Sequence, residues 1–448
     1  MAKPLHVVML PWSAFGHLIP FFHLSVALAK FGVEVSFVST PRNIKRLPKP
    51  PQDLVTLINF VGFPLPSLGS NELYPEGAEA TVDFPSFDQI QHLKIAYDML
   101  QHPVKKFVAE QSPDWIVCDF YNHWLVNIAQ EYQVPLLHFS VFSASFYNFL
   151  APDLLVYNIT NASGISSKQR VGSVLNGCQA VAIRSCPEFE GERLNLLEKQ
   201  IGKPVIPVGL LTPENENRRD KITDDRWWKI FQWLDQQKPK SVVFVGFGSE
   251  CKLTKDQVYE IAYGLELSEL PFLWALRKPE WAADDLEALP PCFNGDKGMV
   301  CIGWAPQLEI LGNPSIGGSL FHAGWGSMIE TLKFGHRLVV LPFLVDQPSN
   351  AKLLIEKGLA LGVERREDGS FSRDDIAKAL RRAMVSVEGE RLTVQATGAT
   401  SILNDKNLQE DYLGRFVDYL KTNAVTYQCR PSLPSTLANN RKWLNHFT

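Results

Sequence analysis

The sequence lacks any paired-cysteine spacing. Its seven cysteines, Cys118, Cys178, Cys186, Cys251, Cys292, Cys301 and Cys429, are scattered, odd in number and without a CxxC. This excludes a disulfide framework and argues against a zinc centre. Free thiols in a reducing compartment are expected. No apolar run approaches the ~20 residues that span a bilayer, so no integral membrane segment is expected. The opening MAKPLHVVMLPW has an apolar stretch too short for a secretory signal and no small-residue cleavage site. The expected location is therefore cytoplasmic, and the sequons at Asn158 and Asn161 are read as chance matches. No basic block occurs, and the formal net charge is −4. Nucleic acid is thus not an expected partner, because phosphate-backbone binding draws on clustered Lys and Arg. The dinucleotide fingerprint is missing too. GFGSEC supplies Gly246 and Gly248, but Cys251 stands where GxGxxG needs its third glycine. No acidic residue ends the second strand of the first half to hold a ribose. A nicotinamide oxidoreductase is discounted on both counts.

What is present is an α/β chain. Its 448 residues are enough for two or three domains. Hydrophobic residues make up 45% and charged residues 21%, ordinary for a globular protein. LHVVML reads as a strand buried on both faces, PWSAFGH breaks it, and LIPFFHLSVALAKFG is helical, with Pro20 in its first turn and Gly32 as its stop. VEVSFVS is the next strand, completing a βαβ unit. LVTLINFV, DWIVC, VPLLHF and GKPVIPVGLL continue the strand series. The highly charged TPENENRRDKITDD then reads as a solvated linker. A second series follows: SVVFVGFGS, PFLWAL, GMVCIG, IGGSLFH and RLVVLPF as strands. TKDQVYEIAYGLELS and SRDDIAKALRRAMV are helices whose Thr254/Gln257 and Ser372/Asp375 have capping-box spacing. The expected architecture is two doubly wound Rossmann-like domains facing across a cleft. Their expected bounds are 1–212 and 227–421, joined by a linker over 213–226, with a poorly ordered tail over 422–448.

In open parallel sheets, ligands bind beyond the carboxyl ends of the strands. His17, Asp119, Ser249, Trp304, His322, Asp346 and Gln347 all follow strands in that way. A neutral imidazole takes a proton from a hydroxyl near pH 7, its reference pKa being about 6.5. A carboxylate on its other nitrogen would fix the tautomer. His17 and Asp119 are candidates for this pair. The structural alternatives are a backbone-bonded helix start for His17 and a helix cap for Asp119.

The stretch from Trp304 to Gln347 is 44 residues long: WAPQLEILGNPSIGGSLFHAGWGSMIETLKFGHRLVVLPFLVDQ. It resembles the donor-binding signature of plant UDP-dependent glycosyltransferases, family 1 enzymes of the GT-B fold. The spaced anchors are WAPQ, HxGWxS, Glu330 and DQ, with Asn350 after them. LPWSAFGHLIPFFHLSVALA and FVSTPRN resemble the family's N-terminal motif. The resemblance covers residues 5–421. PWSAFGHLIPFF, IRSCPEFE, ALRKP and FGHRLVVLPFLVDQP are similar to the sugar-on-sugar clade, which includes UDP-rhamnose:rhamnosyltransferases and enzymes that extend terpenoid and flavonoid glycosides.

The resemblance implies a role for each matched residue. Trp304 would stack on uracil, while the Ala305 backbone and Gln307 would read uracil and ribose. Glu330 would accept from the ribose hydroxyls. Ser249, His322 and Ser327, with the backbone of Gly324, Trp325 and Gly326, would hold the diphosphate at a helix N-terminus. Asp346 and Gln347 would bond hydroxyls of the donor sugar. His17 would be the general base and Asp119 its partner, in an inverting transfer of glucose or rhamnose to a small-molecule hydroxyl. No DxD-type carboxylate pair is placed here, so no metal and no cofactor is expected beyond UDP-glucose or UDP-rhamnose as co-substrate. The partners expected are that nucleotide sugar and a small-molecule acceptor, with the protein a monomer. Phe15, Phe120, Trp124, Phe142, Phe146 and Tyr147 are candidates for the acceptor pocket, with a place in the core as the alternative for each. The chain departs from the family at FHAGWGS, where Phe321, Ala323 and Gly326 replace Thr, Cys and Asn of THCGWNS. The stretch from Pro152 to Gln169 is shorter than in the family. A catalytically weak UDP-sugar-binding relative is the alternative function.

Overall fold

In the computed structural model, the described residues are 4–66, 74–86, 88–153, 164–213 and 224–428. The chain divides into two compact units. One is Met1–Leu211 together with the segment from Lys406 onward; the other is Thr212–Asp405.

The first unit is built on a seven-stranded sheet. Its strands are β1 (His6–Leu10), β2 (Glu34–Ser39), β3 (Ile58–Gly62), β4 (Trp115–Cys118), β5 (Leu136–Ser140), β6 (Ala180–Ile183) and β7 (Val205–Pro207). The order is β3-β2-β1-β4-β5-β6-β7, with every neighbouring pair parallel. Successive side chains of a strand point to opposite faces. Val8, Leu10, Ile116, Cys118 and Val181 therefore enter one core, and Val7, Met9, Trp115, Val117 and Ala182 the other. Both faces are covered, which is why these strands read as unbroken apolar runs.

The second unit carries a six-stranded parallel sheet. Its strands are β8 (Val242–Gly246), β9 (Phe272–Leu276), β10 (Gly298–Ile302), β11 (Ile316–Phe321), β12 (Arg337–Val340) and β13 (Ala360–Gly362), in the order β10-β9-β8-β11-β12-β13. The same alternation holds, with Val243 and Val245 on one face and Val242 and Phe244 on the other. Both capping boxes form. Thr254 Oγ1 accepts from the Gln257 N–H, and Ser372 Oγ from the Asp375 N–H.

Several sequence expectations need correction. The first helix spans Phe15–Lys30, because the Ala14 carbonyl already accepts the His17 N–H at 2.9 Å and the Leu18 N–H at 2.8 Å. Pro20 thus lies inside the helix, and the carbonyl it cannot bond belongs to exposed Gly16. LVTLINFV yields only β3, since the chain through Leu57 is turn. The short AVAI and ALG runs are strands that the sequence reading passed over.

The largest correction is at the C-terminus. The last helix, Lys406–Gln428, belongs to the first unit, not to a second domain ending at 421 followed by a tail. Phe416, Val417 and Leu420 pack into the core beneath the first sheet, and the Leu420 carbonyl accepts the Trp115 indole N–H at 2.9 Å. Of the expected linker, residues 214–223 lie outside the described residues, and a helix begins at Asp225 with Asp224 as its cap. Most of the expected tail, 429–448, also lies outside them, as do both sequons.

Candidate active site

Each sheet reverses its strand order once, and at that point two neighbouring strands send their following loops in opposite directions. The crevice left there is where open α/β sheets bind ligands. In the first sheet the reversal is between β1 and β4, and in the second between β8 and β11. His17 follows β1 and Asp119 follows β4. Ser249 follows β8 and His322 follows β11. The two sheets thus bring together different chemistry at equivalent places.

At the first crevice, His17 Nδ1 lies 2.7 Å from Asp119 Oδ2. The same oxygen accepts the Trp12 N–H at 3.0 Å, and Oδ1 accepts the Phe120 N–H at 2.7 Å. Asp119 is fully buried. Burial alone would raise its pKa. The adjacent His17 ring, by charge and by hydrogen bond, and the Trp12 N–H outweigh burial and hold it below the ordinary value. The carboxylate can only accept, so His17 Nδ1 carries a hydrogen, and in the neutral ring the lone pair is then on Nε2. That is the tautomer a proton acceptor needs.

Aromatic rings surround this pair. Phe142 lies 5.3 Å and Phe120 5.5 Å from the His17 ring, and Phe146 stands 4.6 Å from Phe142. Tyr147 is behind Phe146, at 5.6 Å. These four candidates form one contiguous wall. Phe15 is apart from it, half-buried beneath the Arg46 guanidinium at 5.8 Å. Trp124 is a core residue in the cluster under the sheet's other face. The sequence reading missed Trp12 and Tyr121, whose rings stack at 4.2 Å with Tyr97 edge-on to Trp12 at 5.0 Å. Trp12 lies in the loop that leads into the His17 helix, which was a usable signal. Nothing in the sequence put Tyr121 on it.

At the second crevice the central group is the His322 imidazole. Burial lowers its pKa to about 4, so the ring is neutral at pH 7. Two glycines make room for it. Gly248 has φ +72°, and a Cβ there would meet the His322 ring at 2.8 Å. A Cβ on Gly324 would overlap His322 Nε2. Ala323 between them takes φ +61°, a left-handed conformation that costs a non-glycine residue energy and recurs where a loop is held for binding. The helix Trp325–Lys333 starts immediately after, so its first N–H groups lack helical partners and point toward this loop. Trp325 itself has a buried ring. Gly326 and Ser327 occupy the first turn, half-buried. Ser249 is exposed, and its carbonyl accepts from Arg277 Nη1.

Gln307 Nε2 donates to Glu330 Oε2 at 2.6 Å, so two residues separated by 23 positions share one spot. Trp304 is 76% exposed, against 44% for Trp228, and stands edge-on to buried Trp227 at 6.2 Å. Ala305 follows it, half-buried. Asn350 Nδ2 bridges the Ala323 carbonyl at 3.0 Å and Asp346 Oδ2 at 2.6 Å. It ties the His322 loop to the Asp346–Gln347 pair, a positioning role the sequence reading did not assign. Gln347 Oε1 is occupied by the N–H groups of Phe343 and Leu344 at 2.8 and 2.9 Å, which leaves its amide nitrogen as the end that can meet a ligand. Val345 just before them has φ +51°, a second left-handed non-glycine residue. Among the described residues no cluster of three or more His, Cys, Asp or Glu is placed to share a cation. No described helix is long and apolar enough to cross a membrane.

Comparison with known proteins shows the family. Residues 223–388 match the family model of UDP-glucoronosyl and UDP-glucosyl transferase, and residues 3–134 that of the glycosyltransferase N-terminal domain. UDP-glycosyltransferase 91A1 of Arabidopsis thaliana is 38% identical, over 94% of this chain and 97% of that one. The chain belongs to the plant family 1 UDP-dependent glycosyltransferases. Soyasaponin III rhamnosyltransferase of Glycine max is also similar to this transferase, at 38% identity over 94% of the chain and 96% of the relative. Among solved structures, Glycyrrhiza uralensis UGT73P12 complexed with glycyrrhetinic acid 3-O-monoglucuronide superimposes with a TM-score of 0.78 at 22% identity, covering 95% of the transferase and 97% of that chain. Arabidopsis thaliana UGT89C1 complexed with UDP-L-rhamnose gives 0.76 at 24%, covering 94% and 100%. These neighbours share the GT-B fold with it.

Proposed function

We propose that this transferase moves glucose or rhamnose from UDP to a hydroxyl of a small specialised metabolite, a terpenoid or flavonoid glycoside, with inversion at the anomeric carbon. The observation that carries the reading is the buried 2.7 Å bond between His17 and Asp119. His17 Nε2 takes the acceptor's hydroxyl proton as that oxygen bonds to the anomeric carbon. The carbon's bond to the diphosphate oxygen breaks, and UDP leaves with the electron pair. Asp119 stabilises the imidazolium formed. The charge that develops on UDP falls to His322, Ser327, Ser249 and the N–H groups opening the helix at Trp325. These are fixed before the reaction and need no reorganisation. Trp304, with its exposed face, suits the uracil ring. Gln307 and Glu330 suit the ribose, and Asp346 and Gln347 the sugar. Phe120, Phe142 and Phe146 offer the acceptor an apolar wall. The likeness to a rhamnosyltransferase that acts on a soyasaponin supports rhamnose and a glycosylated acceptor as one arm of the test.

The experiment is a panel of flavonoid and terpenoid glycosides with UDP-glucose and UDP-rhamnose in parallel, reading UDP release and product mass. Transfer of one hexose is the expected result. UDP-sugar binding without UDP release on any acceptor would leave a binding protein instead.

A further inference from the structure

Behind the His17–Asp119 pair lies a second buried histidine that the proposed reaction does not use. His138 sits in β5 and pairs in register with Cys118, the residue before Asp119. Its side chain is engaged at both ends. Nδ1 is 3.2 Å from the Cys118 carbonyl, and Nε2 is 3.1 Å from the Tyr147 hydroxyl. A carbonyl only accepts, so Nδ1 holds the hydrogen, and Nε2 is then a lone pair that Tyr147 meets as the donor; the Tyr147 hydroxyl also contacts the Ser140 side chain at the end of the same strand. Burial lowers the His138 pKa, against the opposing pull of the Asp119 carboxylate, and burial raises that of Tyr147. Both members of the contact are therefore neutral around pH 7.

Tyr147 lies on the helix Ala144–Asp153. Glu190 caps that helix, its carboxylate accepting the N–H groups of Ala144 and Ser145 at 2.8 and 2.9 Å and the Ser145 hydroxyl at 2.9 Å. A cap at one end fixes where the helix starts but not how it is rotated. The bond from Tyr147 to His138 restrains the rotation on the sheet side, as that from Asn148 Nδ2 to the Arg193 carbonyl at 3.0 Å does toward the neighbouring helix. Phe146, adjacent to Tyr147, presses on Phe142, which in turn touches the His17 ring. Ser140 at the end of β5 secures the Phe142 backbone, accepting its N–H at 3.2 Å and donating to its carbonyl at 3.1 Å.

We propose that His138 and Tyr147 form a neutral hydrogen-bonded strut that sets the Phe142–Phe146 wall against His17, with Tyr147 a positioning residue for the acceptor that acts through His138. The inference rests on the reading of His17 as base and of this wall as the acceptor side. It replaces direct acceptor contact as the role of Tyr147.

The test begins with Tyr147→Phe, which keeps the ring and removes only the hydroxyl. With the best acceptor of the panel, the acceptor KM is expected to rise about three- to tenfold, the worth of one hydrogen bond. The donor KM, and UDP affinity by calorimetry, should stay within about twofold, because neither involves the first sheet's wall. His138→Leu should produce the same split, and the double variant should be no worse than Tyr147→Phe alone, as two ends of one bond require. Unchanged acceptor KM in Tyr147→Phe overturns the strut. Equal losses in donor and acceptor parameters with a lowered melting temperature overturn it too, since that is general destabilisation. Additive effects in the double variant overturn it by pointing to direct acceptor contact. His17→Ala is assayed alongside. If it keeps near-normal turnover, the catalytic reading itself fails; if it is inactive while Tyr147→Phe is silent, only the strut does.

Discussion

The crevices of the two sheets occupy equivalent positions and solve different problems. The first is built from side chains. A buried carboxylate is held by two backbone N–H groups and one imidazole, inside a ring of aromatics. The second is built mostly from backbone. Two glycines accommodate a neutral histidine, a helix starts directly behind it, and two non-glycine residues take left-handed conformations. The difference follows from the tasks. In the proposed reaction, moving a proton needs a titratable group with a fixed tautomer, and the first site offers one imidazole oriented by a buried carboxylate. Holding an anion needs many small dipoles already in place, so the second invests in loop shape.

That contrast makes separable predictions. The largest effect should come from His17→Ala, which removes the proton acceptor and leaves the second crevice intact. Turnover should fall about 10²–10⁴-fold, with UDP affinity by calorimetry unchanged; near-normal turnover would remove His17 from the chemistry. Gly248→Ala should do the reverse. It strains the backbone at positive φ and drives a methyl into the His322 ring, a combination worth about 1–3 kcal/mol. UDP should bind about tenfold or more weakly while the first unit's melting behaviour is retained, and full affinity in this variant would show that the His322 loop is not the cradle. Trp304→Ala removes an exposed ring with little packing to lose. If that ring stacks on a base, the donor KM should rise about tenfold, since such stacking contributes about 1–3 kcal/mol; an unchanged donor KM would assign the tryptophan elsewhere. The smallest change is Gly326→Asn, which restores the amide usual in the family. Donor affinity should improve about two- to fivefold, one modest hydrogen bond. Weaker donor binding would mean that Gly326 does not face the ligand.

Much of this was legible before any coordinates. The apolar runs located most strands because parallel strands covered on both faces must be apolar throughout. The capping boxes at Thr254 and Ser372 located two helix starts, because cap chemistry is local. The resemblance carried by the stretch from Trp304 to Gln347 pointed to the residues that follow β10, β11 and β12. What escaped was short or long-range. AVAI and ALG are too brief for periodicity to distinguish. Trp124 had the composition of a pocket residue and the position of a core one. The last helix looked like a continuation of the second domain, because chain order says nothing about which core an amphipathic face will enter.

The sequence alone determined the residue types available and the strand ends that carry them, since both depend on local patterning. Only the tertiary structure decided that His17 and Asp119, 102 residues apart, meet at 2.7 Å, that Asn350 joins the Ala323 carbonyl to Asp346, and that His138 meets the Tyr147 hydroxyl. Those contacts arise where sheet order reverses and helices pack, and packing is set by the whole core at once.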